Sequence, residues 1–321
     1  MNETFAPSRV SVIMPCYNAA SFIEEAVNCV MNQTYADVEL IVVDDGSTDG
    51  SREILERLGS LYASRMSLHS QDRKGPYPAR NVGLKHACGG MIAFLDADDY
   101  WTRDALEKLA TALNANHADI TYCGWQNIGE GAPGTVPFIP PDYSQMDMAA
   151  EFLRSCPWPI HAAMVRREAI DAVKGFSERR FSSMDYDLWL RLYAHTQRIV
   201  RVPEVLAFYR WHGKGQISKT KWKQVLDALQ VRCDFVAHHP ERVAHLPRTK
   251  VRELSEGFLL YEAYRAYWRR NLLDAQKLFR RAFMKGLWKT SDLKYILPAL
   301  LPGPLFRWIV DKADDLKERR A

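Results

Sequence analysis

The chain has 321 residues, 47% hydrophobic and 26% charged, which is ordinary for a soluble globular protein and enough for one large domain plus an appendage, or two domains. Its net charge of +4 conceals a split: residues 1–218 carry 21 Lys+Arg against 27 Asp+Glu, and residues 219–321 carry 22 against 12, so the first part suits a metal cation and the second phosphate, lipid or nucleic acid. None of the six cysteines forms a C-x-x-C pair, which excludes zinc-ribbon and thioredoxin-like readings, and the opening MNETFAPSR has no apolar leader, so a cytosolic location is expected. Residues 10–14 (VSVIM) read as a buried strand and 21–31 as a helix. A second strand, 38–43, stops at the turn Asp44-Asp45-Gly46-Ser47, and a helix starts near Asp49. Residues 66–69 form a short strand, 78–87 a helix, and 91–95 a strand ending at Asp96. Thr102 is the expected N-cap of a helix to about Asn114. Beyond Asp119 the pattern weakens: strands at 120–125, 160–166 and 205–211, a loop at 129–143 and a helix at 186–195. From about Trp222 the chain reads as helical, with a hairpin of 253–268 and 273–285 turning near Arg270-Asn271.

Strands alternating with helices imply parallel β-α-β units with right-handed crossovers. Ligands then sit beyond the carboxyl ends of the strands. Asn18, Asp44, Asp45, Asp96 and Asp98 all fall at or just after such ends. Asp96-Ala97-Asp98-Asp99 follows a strand directly, so acids at i and i+2 can face one ligand. They either end the strand and cap a helix or make a hard-oxygen site for Mn²⁺ or Mg²⁺, with diphosphate oxygens completing the shell; three crowded acids favour the cation. Asp44-Asp45 is a second acidic turn, either a plain strand-to-helix connection or an acceptor for a base nitrogen and ribose hydroxyls.

The segments VSVIMPCYN (10–18), Gln33-Thr34, ELIVVDDGSTD (39–49), ARNVG (79–83) and FLDADD (94–99) together resemble glycosyltransferase family 2 in order and spacing, over residues 10 to about 218. The resemblance implies an α/β, A-type glycosyltransferase fold: a Rossmann-like mixed sheet flanked by helices, with a nucleotide-sugar half at about 1–116 and an acceptor half at about 117–218. A basic, all-helical region, 219–321, follows. It implies an inverting transferase using a nucleotide sugar, most often UDP-linked, and Mn²⁺ or Mg²⁺. Pro15, Tyr17, Asn18 and Asp45 are expected at the nucleotide, with Asp44 supporting the turn and Arg80 near the base or diphosphate. Asp96 is expected at the ribose or the metal, and Asp98 as the principal metal ligand. Asp99 is expected either to join this site or to serve only as a helix cap. The segment Met184-Asp185-Tyr186-Asp187 matches a family Glu-Asp pair and makes Asp185 the expected general base, with Asp187 the competing carboxylate. Tyr209-Arg210-Trp211-His212-Gly213, with Gln216 and Ser218, resembles the segment where a His completes the metal or diphosphate site or merely packs. Ala207 stands where processive members have Gln, which implies transfer of one sugar or few.

The C-terminal region interleaves cations with aromatics. It is expected either to pack on itself or to attach peripherally to an anionic membrane through Leu305, Phe306 and Trp308, near a glycan or lipid-linked acceptor. Nucleic acid is not an expected partner, since no recognition motif accompanies the charge. The rival reading is a catalytically silent nucleotide-sugar-binding or scaffolding protein. A dinucleotide oxidoreductase lacks its G-x-G-x-x-G.

Overall fold

Runs of Val, Ile and Met with little polar interruption form the central strands, because a strand covered on both faces needs no alternation. In the computed structural model, which describes residues 5–179, 182–212 and 221–318, the chain divides into two compact units, Met1–Gln216 and Ile217–Ala321. Gly213, Gln216, Ser218 and the expected boundary at 218/219 lie outside the described residues.

Among the described residues the first unit holds one mixed sheet of eight strands: β1 (Ala6–Cys16), β2 (Val38–Asp44), β3 (Met66–Ser70), β4 (Gly89–Phe94), β5 (Tyr100–Trp101), β6 (Ile120–Ile128), β7 (Ala163–Arg166) and β8 (Ile199–Arg210). Their order is β3-β2-β1-β4-β7-β6-β8-β5. The first four strands run parallel, β7 is antiparallel to β4 and β6, and β6 is parallel to β8. The helices are α1 (Ile23–Met31), α2 (Ser51–Leu61), α3 (Pro76–His86), α4 (Ala105–Ala115), α5 (Met148–Arg154), α6 (Arg167–Ala172) and α7 (Met184–His195). The register pairs Cys16 with Asp44 and Asp44 with Ser70, so β1, β2 and β3 end level and their following loops open at one edge. Helix α3 lies tight on β1: a Cβ on Gly83 would stand 2.4 Å from Ile13 Cγ2.

Several local expectations change. Thr102 does not cap a helix. Its N–H donates to Leu206 O and its hydroxyl to Asp104, and α4 starts after Asp104, because the chain is still tied to β8 there. Residues 160–162 form a 3₁₀ turn, and pairing begins only at Ala163. Strand β8 starts six residues before the expected 205, passing Pro203 through a register shift against Cys123 and Gly124.

The second unit comprises α8 (Lys221–His238), α9 (Arg248–Glu256), α10 (Phe258–Trp268), α11 (Leu272–Met284), α12 (Leu293–Leu300) and α13 (Gly303–Glu318). The expected helix 253–268 is interrupted at Gly257. The hairpin turns where expected: Arg270 is left-handed (φ 59°) and the Asn271 side chain accepts from Asp274 N–H. Phe306 is buried with Leu259, Phe279 and Ile296 in this unit's core, so it cannot enter a membrane as expected, unlike exposed Leu305 and Trp308. No helix among the described residues is long and apolar enough to cross a membrane.

Candidate active site

The loops beyond β1, β2 and β3 are pinned to one another by side chains. Asn18, at φ 50°, accepts Thr48 N–H at 2.8 Å through Oδ1, while its own N–H donates to Ser47 Oγ at 3.0 Å. Asp44 accepts Ser47 N–H and so holds the turn that Gly46 (φ 77°) makes. Asp45 is buried and reaches the next loop: Oδ1 accepts from Gln71 Nε2 and Lys74 N–H, both at 2.7 Å, and Oδ2 accepts Gly75 N–H at 2.8 Å. A carboxylate oxygen accepts two hydrogen bonds, which leaves one position at Oδ2. Pro15 pairs with Val43 inside the sheet, and the Tyr17 ring lies under the Arg73 guanidinium at 3.9 Å. Arg73 carried no signal in the sequence.

Beyond β4, the three carboxylates Asp96, Asp98 and Asp99 take different partners. Arg80, on α3 and 4% exposed at its side chain, pairs with Asp96 Oδ1 and stands 5.5 Å from both the Tyr77 and Phe176 rings. Asp98 Oδ2 lies 2.9 Å from His212 Nε2, and the His212 ring rests on Phe22. Burial and the neighbouring Asp96 push the Asp98 carboxyl above its usual range, and His212 draws it back. Asp99 is fully buried and accepts Arg210 N–H at 2.8 Å. Burial, then Asp98 and Asp96, push its carboxyl well up. His161 Nδ1 approaches Asp99 Oδ2 to 3.2 Å without hydrogen-bond alignment, and burial lowers His161 to about 4, so this is a contact with a neutral imidazole rather than an ion pair. Asp99 therefore anchors β8 and is not the cap of α4. Arg210 adds to that anchor by donating to Asp98 O at 2.9 Å and to Glu25 at 2.7 Å.

Asp185 sits in the first turn of α7, half-buried, where Ser183 (φ 59°) turns the chain into the helix. Its Oδ1 accepts Tyr186 N–H at 2.9 Å. Burial raises its carboxyl, Arg80 lowers it and Asp96 raises it, so the three groups share one electrostatic neighbourhood. The Tyr209 hydroxyl, pushed up by burial, feels Asp99, Asp96, Asp98 and Asp185 together. Asp187 is engaged differently: it pairs with Arg191 at 2.7 Å, and Arg191 donates onward to Val173 O and Gly175 O. That network fixes the segment leading into α7. Sequence reasoning also missed Tyr77, buried on α3 with its ring 5.5 Å from the Arg80 guanidinium. It did not foresee how Asn81 ties α3 to Phe176 through both its amide and its carbonyl. Asn81 lies within the ARNVG segment, which was the available signal.

The donors present fit a divalent cation. Asp98 and His212 supply an oxygen and an imidazole nitrogen that converge at 2.9 Å, a set that Mn²⁺ accepts. Asp96 has one oxygen beyond its contact with Arg80. Among the described residues no three His, Cys, Asp or Glu side chains already form a cation cage. An ion held by Asp98 and His212 would take the rest of its shell from ligand oxygens.

The model for "Glycosyl transferase family 2" matches residues 11–174. Among curated proteins, the Escherichia coli UDP-Glc:alpha-D-GlcNAc-diphosphoundecaprenol beta-1,3-glucosyltransferase WfgD is 31% identical over 240 residues, 74% of this chain and 90% of that protein. Among solved structures, S. aureus TarS 1-349 in complex with UDP-GlcNAc is similar at a TM-score of 0.62 and 18% identity, over 96% of this chain and 92% of that one. Mannosyltransferase PcManGT from Pyrobaculum calidifontis, in complex with GDP-Man and Mn2+, gives 0.59 and 20% over 90% and 91%. At these identities the likeness to the structures is one of fold, and it agrees with the A-type sheet expected from the sequence.

Proposed function

Because the chain belongs to glycosyl transferase family 2, we propose that this glycosyltransferase moves a sugar from a nucleotide sugar, UDP-linked in the first instance, to a hydroxyl of a glycan or lipid-linked acceptor, with inversion, dependence on Mn²⁺ or Mg²⁺, and Asp185 as general base. The observation that carries the reading is the cluster beyond β4, where Arg80 pairs with Asp96 and His212 meets Asp98 at 2.9 Å, with Asp185 in the field of Arg80 and Asp96. In support of the donor and acceptor classes stand the UDP-GlcNAc and GDP-Man of the structural neighbours and the diphosphoundecaprenol in the name of WfgD.

In this reading residues of about 1–116 hold the donor and about 117–218 the acceptor. Tyr17 stacks on the base beside Pro15, Asp45 Oδ2 accepts a ring N–H, and Asn18 and Asp44 keep the loops in place. Asp98, His212 and the second oxygen of Asp96 would hold the cation. When bound, it neutralises charge developing on the leaving diphosphate. Asp185 accepts the proton of the acceptor hydroxyl as that oxygen bonds to the anomeric carbon and the bond to the diphosphate oxygen breaks. Burial favours its neutral form and so strengthens its conjugate base, while Arg80 keeps the carboxylate populated. One displacement on one face inverts the anomeric centre. Ala207, buried in β8 opposite Trp101, goes with transfer of one sugar or few.

A thermal-shift panel of UDP-, GDP- and dTDP-sugars with and without Mn²⁺, followed by transfer with the stabilising donor, tests the reading. Selective Mn²⁺-dependent stabilisation and an inverted product are expected. Binding without transfer to any acceptor or to water would favour a silent nucleotide-sugar-binding protein, and a product of retained configuration would exclude the single displacement.

A further inference from the structure

The C-terminal unit leaves one apolar face uncovered. Helices α12 and α13 contribute Ile296, Ala299, Phe306 and Val310 to the core and pack on α11. Their other sides present Leu297, Leu300, Leu301, Leu305 and Trp308, all exposed, Leu297 at 51% and Trp308 at 57%. Leu305 and Trp308 stand three apart and so share a stripe of α13, opposite the stripe that carries Phe306 and Val310. Five large exposed apolar side chains thus fall within twelve residues, a concentration of the kind that marks an interaction surface.

The charge around the patch indicates what covers it. Residues 293–312 contain three cations, Lys294, Arg307 and Lys312, and one acid, Asp311. Lys294 and Arg307 are exposed on the same two helices, Lys294 with its ammonium 5.1 Å from the Tyr295 ring. Arg280 borders the same corner, donating to Ala299 O at 2.7 Å. The whole segment 219–321 has 22 Lys+Arg against 12 Asp+Glu. An apolar stripe rimmed by cations on a basic unit complements an anionic bilayer. Leucines enter the boundary between headgroups and acyl chains, a Trp ring suits the headgroup level, and Lys and Arg meet lipid phosphates. Helix α12 has only eight residues and contains Pro298, so the face can lie on a membrane but not cross it.

We propose that the outer face of α12 and α13 docks on an anionic lipid surface through Leu297, Leu300, Leu305 and Trp308, with Lys294 and Arg307 at the phosphates. The proposal does not depend on the transfer reading, because its test uses no sugar donor.

The full chain is floated with vesicles of phosphatidylglycerol and phosphatidylcholine, and with phosphatidylcholine alone, at low and high salt. Binding is expected to the anionic vesicles, to weaken with salt, and to shift Trp emission to shorter wavelength. Lys294→Glu and Arg307→Glu should each lower the partition coefficient at least about fivefold. Leu305→Asp with Trp308→Asp should abolish binding while leaving the thermal midpoint unchanged, since both side chains are exposed. If the double variant does not fold, the two charge reversals and the salt dependence decide. Equal failure to bind both vesicle types overturns the proposal, as does unchanged binding by the charge-reversed and apolar-face variants. Sedimentation showing a wild-type dimer that Trp308→Asp dissociates, with no vesicle binding, would assign the face to a second copy of the chain instead.

Discussion

Asp185 and Asp187 lie two residues apart on α7 but take different partners, so under the proposed mechanism their Asn variants should separate. In Asp185→Asn the side chain keeps its shape and its acceptor for Tyr186 N–H but cannot take a proton. Losing a positioned base costs about 10²- to 10⁴-fold in kcat, roughly 2.7–5.4 kcal/mol of barrier. Donor affinity should hold, since Asp185 is not among the groups that position the nucleotide. Stability should not fall either. Burial raises the folded-state pKa of Asp185 above the ordinary carboxylate value of 3.8. The ionised side chain therefore destabilises the fold, and stability is lost as pH rises from that value through the folded pKa. Asp185→Asn should thus have a thermal midpoint equal to or above wild type at neutral pH, the gain fading in acid. Asp187→Asn weakens the pair with Arg191 and should cost about 1–3 kcal/mol of stability with a smaller effect on kcat. The assay is steady-state release of nucleoside diphosphate alongside thermal denaturation at neutral and acid pH. Near wild-type turnover by Asp185→Asn, or a large loss of midpoint at neutral pH, would refute the reasoning.

Arg80→Met removes the buried partner of Asp96 and the cation that lowers Asp185. Denaturant titration should show a loss of roughly 3–5 kcal/mol, and the acid limb of kcat/KM should move to higher pH. His212→Ala removes one of the proposed ligands; the Mn²⁺ concentration for half-maximal activity should rise by at least the roughly 10- to 100-fold that an outer partner costs. Gly83→Ala places a Cβ 2.4 Å from Ile13 Cγ2 and should cost about 1–3 kcal/mol in denaturant titration; with Ile13→Ala, which removes that methyl, the double variant should lose less than the two single losses added.

The donor-side strands were legible because they are continuous apolar runs ended by acidic turns, and acids after strand ends mark a ligand edge in any parallel sheet. What escaped was set by contacts between distant segments. No local signal in PIHAAM places His161 beside Asp99, and nothing in the loop after β3 announces that Gln71, Lys74 and Gly75 close on Asp45. Thr102 is a good cap in isolation, but tertiary hydrogen bonds to β8 outweighed that preference. Pro203 hid the first half of β8, since a bulge and not the residue pattern lets the strand pass it. Phe306 shows the limit of composition: its aromatic character suits a membrane interface, and helix phase alone puts it in the core between exposed Leu305 and Arg307.

The most direct test is a crystal structure of the enzyme with Mn²⁺ and an unreactive analogue of the nucleotide sugar that stabilises it most. The ion is expected on Asp98 and His212 with diphosphate oxygens completing its shell, and the anomeric carbon with its free face toward Asp185. A sugar directed away from α7, or an ion held elsewhere while the donor is bound, would contradict the proposed mechanism.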